Sequence, residues 1–76
     1  MSVWVMRIDH QDGNDTRVFR SRSAAVNAVF AYIKEWWNRR VNANEPIPTD
    51  KDAAIDRYFE CADDERFEIQ SSEIWE

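Results

Sequence analysis

One glycine, one cysteine, one histidine and two prolines are all that this 76-residue chain holds of those residue types. Each shortage excludes something. A lone glycine, Gly13, cannot build a Gly-rich phosphate loop. A lone cysteine, Cys61, leaves no internal disulfide, whereas domains of this size in oxidising compartments usually carry several, so a cytoplasmic home is expected. A lone histidine, His10, falls short of the nitrogen and sulfur ligands that a zinc site needs. Pairing His10 with Cys61 as base and nucleophile is disfavoured too, because Cys61 falls at the margin of an apolar helix face, where a thiol packs as a small hydrophobe. No enzyme, metal or cofactor is expected. No apolar run approaches the roughly 20 residues of a membrane span, and no leader pattern opens the chain, so no membrane contact is expected.

What is present is aromatic and charged. Four Trp, four Phe and two Tyr supply the core that a chain so short needs, since each ring can bury about 150–250 Å². The net charge of −5 is unevenly spread: residues 1–40 carry seven basic and four acidic side chains, and residues 41–76 carry three basic and eleven acidic ones. An acidic half of this kind suits a basic partner and argues against non-specific nucleic-acid binding, which needs Lys and Arg in excess.

The stretch Ser21 to Arg40 organises the rest. Val26, Val29, Phe30, Ile33, Trp36 and Trp37 recur at three- and four-residue spacing, which predicts an amphipathic helix capped by Ser21 or Ser23. Its apolar arc is roughly 160° wide, broader than the roughly 100° needed against one neighbour. A sheet on one side and a second helix on the other would fill it.

Before that helix, Ser2 to Asp9 reads as a strand with Trp4, Met6 and Ile8 on one face, His10 to Asp15 as a turn around Gly13, and Thr16 to Arg20 as the returning strand. After it, Val41 to Thr49 reads as a proline-containing loop. Thr49 and Asp52 resemble a capping box that starts a second helix from about Asp50 to Ala62. Glu65 to Glu76 reads as a third strand, with Phe67 and Ile69 turned inward and a bulge or frayed end at Ile74 and Trp75. The expectation is one α+β domain over residues 1–76, in the order β-β-α-α-β. It comprises a three-stranded antiparallel sheet with the N-terminal strand central and an antiparallel helix pair on one face. The other face and both edges stay open, which leaves homodimerisation available.

The candidate site is acidic. Asp52, Asp56, Glu60 and Asp63 fall in one column of the second helix, and Asp64 and Glu65 extend it. Like charges at that spacing repel and cost the helix stability, so the column is expected either to solubilise the domain or to meet a protein partner with a basic surface. Trp4, Tyr32 and Trp36 form a possible second interface. Asp9, Asp12, Gly13, Asn14 and Asp15 have the oxygen-rich flavour of a calcium loop but lack its ligand spacing, and a plain hairpin turn is the better reading.

Taken together, the size, the element order, the column Asp52, Asp56, Glu60, Asp63 and the lack of a catalytic constellation resemble the small inhibitors that bacteriophages encode against host defences, anti-CRISPR proteins among them. The resemblance lies in layout and rests on no diagnostic motif. It implies a stoichiometric binder that blocks a nucleic-acid-handling complex by occupying its basic surface, without itself contacting nucleic acid. Two other classes stay open: an oligomeric small-ligand sponge with Trp4, Arg20, Tyr32 and Trp36 around a shared pocket, and a homodimeric structural accessory protein.

Overall fold

The computed structural model describes residues 2–73, and the predicted irregularity at Ile74 and Trp75 lies outside them. Strand β1 (Ser2–His10) turns through Gln11 and Asp12 into β2 (Gly13–Phe19). Helix α1 (Arg22–Trp37) follows and continues into a π-helical turn (Asn38–Asn42), then α2 (Lys51–Cys61) and β3 (Arg66–Glu73) complete the fold. The sheet is antiparallel in the order β2-β1-β3, so the N-terminal strand is central, as its two-sided apolarity predicts.

Strand alternation fixes the faces. Trp4, Met6 and Ile8 lie opposite Phe19, Arg17 and Asp15 of β2 and opposite Ser71, Ile69 and Phe67 of β3, and these form the face that meets the helices. Gly13 closes the hairpin opposite His10 with φ of +132°, a conformation that L side chains rarely adopt.

Helix α1 starts where Ser21 Oγ accepts the Ala24 N–H at 3.2 Å. From there Ala25, Val29, Ile33 and Trp37 follow at four-residue steps and are buried. They join Met6, Ile8, Ala54, Ile55, Tyr58 and Ala62 in a core that contains no buried polar or charged residue among the described residues. Phe67 was expected in the core, but it is 38% exposed and sits at the rim, its ring 4.8 Å from that of Phe59.

Three boundaries differ from expectation. The turn predicted over His10 to Asp15 shrinks to Gln11 and Asp12, because the strand ladder continues through His10 and resumes at Gly13. The helical conformation runs through Val41 to Asn42, where the loop was predicted to have begun. Helix α2 is preceded by Asp50, whose side chain makes no capping hydrogen bond, and Ala54 N–H bonds the Asp50 carbonyl at 3.0 Å. Thr49 lies one position too early to cap it.

The direction of the helix pair also differs. Lys51, at the start of α2, bonds Asn27 in the first half of α1. The Tyr58 ring meets Tyr32 edge-on at 6.0 Å, and Asp64, just past α2, pairs with Arg40, just past α1. The helices therefore run the same way. Connection lengths explain it. Strand β3 must begin beside Asp9, at the end of the sheet where α1 finishes. The four residues 62–65 reach at most about 14 Å, too little to cross back from the far end of the roughly 24 Å α1. The eight residues 43–50 reach about 27 Å, enough to return the chain along the helices before α2 begins. Trp37 Nε1–H holds that return by donating to the Glu45 carbonyl at 2.8 Å, and Arg57 grips the Glu45 carboxylate with two bonds of 3.0 Å.

Candidate functional site

The six carboxylates predicted as one row divide into four and two. Asp52, Asp56 and Glu60 stand at four-residue intervals on the exposed face of α2, and Asp63 is exposed just beyond its end. None of the four makes a hydrogen bond or ion pair among the described residues. Arg57, the basic residue nearest in sequence to Asp56 and Glu60, is held by Glu45, which raises the pKa of the guanidinium and lowers that of the Glu45 carboxyl, chiefly through the hydrogen bonds between them.

Asp64 and Glu65 do not extend the row. The Ala62 backbone (φ −94°, ψ 68°) leaves the helix, and a Glu65 N–H to Ala62 carbonyl bond of 3.0 Å turns the chain inward. Asp64 pairs with Arg40. Glu65, its side chain only 10% exposed, accepts the Tyr32 hydroxyl at 2.7 Å and the Tyr58 hydroxyl at 2.9 Å through Oε1, while Oε2 lies 3.2 Å from Arg40 Nε. Burial first, and then the bond to the Glu65 carboxylate, push both phenols well above the ordinary tyrosine range. Partial burial opposes the charge on Arg40, and Asp64 and Glu65 more than reverse that effect and hold it above its usual pKa. Glu65 is thus an internal clasp that ties α1, α2 and the entry to β3 together. Nothing in its own spacing marks it, and only the start of β3 at Arg66 decides that it turns inward.

Adjoining this clasp, whose Tyr32, Arg40 and Glu65 line one end of it, a groove of ≈ 670 Å³ opens between α1 and the inner face of β2 at Asp15 and Arg17. Met6 and Ile8 floor it beside the small residues Ala28 and Ala31, and Tyr32 and Trp36 stand along its α1 wall. Two of the three residues proposed as a second interface therefore come together there. Trp4 does not join them and packs against the core opposite Phe19. Arg20, placed in the same pocket by the sponge reading, is not among the lining residues, and Arg17, which that reading omitted, is. The lining is mixed in charge, with Arg17 and Arg39 against Asp15 and Glu35, and the Arg39 guanidinium lies 5.4 Å over the Trp36 ring.

His10 belongs to the hairpin: its Nδ1 accepts the Asp12 N–H at 3.3 Å, its Nε2 lies 3.4 Å from Asp15, and its ring stacks on Tyr32. Cys61 is half-buried on α2. Among the described residues no group of three or more His, Cys, Asp or Glu side chains is placed to hold a metal ion, and no helix is long and apolar enough to cross a membrane. No protein family, curated protein or solved structure matches the chain.

Proposed function

We propose that this chain is a non-catalytic protein-binding module that docks Asp52, Asp56, Glu60 and Asp63 onto a basic, phosphate-reading surface of another protein. The observation that carries this is the charge left exposed: among the described residues Asp52, Asp56, Glu60 and Asp63 make no ion pair with their own chain, while Glu45, Asp64 and Glu65 are each taken up internally. Glu60 also sits in the last turn of α2, at the negative end of the helix dipole, and no basic residue occupies that turn. Such a placement costs the helix stability, which fits a side chain kept for contact. Carboxylates spaced one helical turn apart stand about 6 Å from one another along the axis and present a line of negative charge, as a nucleic-acid strand does. A surface evolved to hold phosphates attracts them by the same forces, and the complementary fields speed the encounter. In the setting that the resemblance to phage inhibitors implies, the partner is a nucleic-acid-handling defence complex and the chain is its stoichiometric inhibitor.

The test is capture of partners from a host lysate with the wild-type chain and with Asp56→Lys/Glu60→Lys, whose fold is checked by circular dichroism. A nucleic-acid-handling complex held by wild type, released by raised salt and absent with the variant is the expected result. Equal capture by both chains would remove the acidic face from the function. A second reading rests on the groove: Tyr32 and Trp36 beside Arg17 form a pocket of small-ligand size. A stoichiometric metabolite in native mass spectrometry, lost on Trp36→Ala, would favour it.

A further inference from the structure

Strand β2 pairs with β1 on one side only, and its other edge carries no strand among the described residues. Residues 13–18 are exposed and Phe19 is half-buried. Natural proteins guard such an edge with charges that an incoming strand cannot satisfy. Two charged residues of β2, Asp15 and Arg17, lie on its helix-side face, as their register with Ile8 and Met6 requires. The Arg17 side chain has no hydrogen bond or ion pair among the described residues, and the ion pair of Asp15 is a 3.4 Å approach to His10. The two are opposite in sign, and their spacing has a consequence under two-fold symmetry.

When two copies of a strand pair antiparallel about a two-fold axis, residues directly opposite must come from the same face, so their numbers sum to an even value. Strand β2 runs from Gly13 to Phe19 with Thr16 at its midpoint. The register of full overlap therefore sets Thr16 against Thr16 and satisfies the rule without a slip. It also sets Asp15 against Arg17 twice, once on each side of the axis, and Phe19 against Gly13, where the missing side chain leaves room for a ring. For β3, which spans Arg66–Glu73, full overlap sums to an odd value. It must slip by a residue, and with Ile69 set against Ile69 it opposes Arg66 to Ser72 and Glu68 to Gln70, with no complementary charges.

We propose that the β2 edge is a self-association surface, on which a second copy of this chain pairs its own β2 antiparallel with Thr16 on the axis and Asp15 opposite Arg17 across it. The two sheets become one of six strands, and the groove floor of each copy continues into the other. A seven-residue strand pair is about 23 Å long and by itself buries less than the roughly 1,200 Å² of a stable specific interface, so the association is weak and concentration-dependent. Helix α2 lies on the β3 side, where Phe59 meets Phe67, so pairing through β2 leaves the acidic faces of both copies free. The inference does not depend on what those faces bind.

Sedimentation velocity over a range of concentrations at low salt tests it. The wild type is expected to pass from the 9.1 kDa monomer to a dimer. Asp15→Arg sets arginines opposite arginines and Arg17→Asp sets aspartates opposite aspartates, so each variant alone should dissociate about tenfold more readily or worse. Mixed in equal amounts, the two variants are complementary and should associate as a heterodimer, and the double variant Asp15→Arg/Arg17→Asp should restore the homodimer. These exposed positions leave the core intact, which circular dichroism verifies. A wild type that stays monomeric at submillimolar concentration overturns the proposal. So does a dimer that survives both single variants, or a loss that neither mixing nor the double swap repairs.

Discussion

Replacing Glu65 by Ala removes the acceptor of two phenol hydroxyls and the carboxylate facing Arg40. Tyr58 is fully buried, so its hydroxyl finds no water when the acceptor goes, and a buried donor left alone costs about 1–3 kcal/mol. Tyr32 is half-buried and recovers part of its loss from solvent. The sum is about 2–3 kcal/mol, a large share of the roughly 5 kcal/mol at the low end of domain stabilities. For a domain of this length each kcal/mol moves the melting temperature by about 4–8 °C, so the variant should melt roughly 8–24 °C below wild type. Asp63→Ala, which removes an exposed carboxylate without a partner, should move it by no more than about 0.5 kcal/mol. A double-mutant cycle isolates the bond. Tyr58→Phe should cost about 1–2 kcal/mol in the wild-type background and much less in Glu65→Ala, giving a coupling of about 1 kcal/mol. If the two losses add, or if Glu65→Ala melts like Asp63→Ala, the clasp does not hold the helices to β3.

The remaining predictions concern pH, the return loop, the hairpin and the acidic face. Tyr32 and Tyr58 are the only tyrosines, and both are raised above the ordinary value near 10. The folded state therefore holds phenol protons that the unfolded state releases. The stability they contribute is complete below about pH 10 and is lost as pH rises towards the folded values. Phenolate absorbance should thus emerge together with loss of circular dichroism; free titration of either tyrosine in folded protein near pH 10 would contradict the geometry. Trp37→Ala empties a buried site and frees the Glu45 carbonyl, at about 3–5 kcal/mol, and should leave the chain largely unfolded by mild urea titration at 25 °C. Gly13→Ala meets no atom within 4 Å but must adopt φ of +132°, so it should cost about 1–2 kcal/mol from backbone strain alone, read by thermal melting. Asp56→Lys relieves repulsion with both Asp52 and Glu60 and places a better helix former on α2, so it should raise stability by about 0.5–1 kcal/mol while abolishing partner binding; a destabilised variant would show that Asp56 has a structural role.

Local pattern was enough for the elements. Alternation at Trp4, Met6 and Ile8, the single glycine at the turn, and the four-residue steps through Val29, Ile33 and Trp37 each depend on a few neighbouring residues, and strands, hairpin and helix follow from them. The central place of β1 was legible for the same reason, since a strand apolar on both faces is better shielded between two neighbours than at the edge of the sheet. Three of the six acidic residues, Asp52, Asp56 and Glu60, could likewise be placed on an exposed face from helical phase alone.

Tertiary structure decided what depended on where chain ends meet. The shared direction of α1 and α2 comes from β3 having to start beside Asp9, with only four residues to reach it. That same constraint turns Glu65 inward onto Tyr32 and Tyr58 and brings Asp64 to Arg40, residues that no spacing rule connects. The groove exists because the helices leave Asp15 and Arg17, on the inner face of β2, uncovered beside α1, and that depends on where the layers sit. Periodicity reports which way a side chain points from its own element; it carries no information about which distant residue will be standing there, because that is set by loop reach and sheet order.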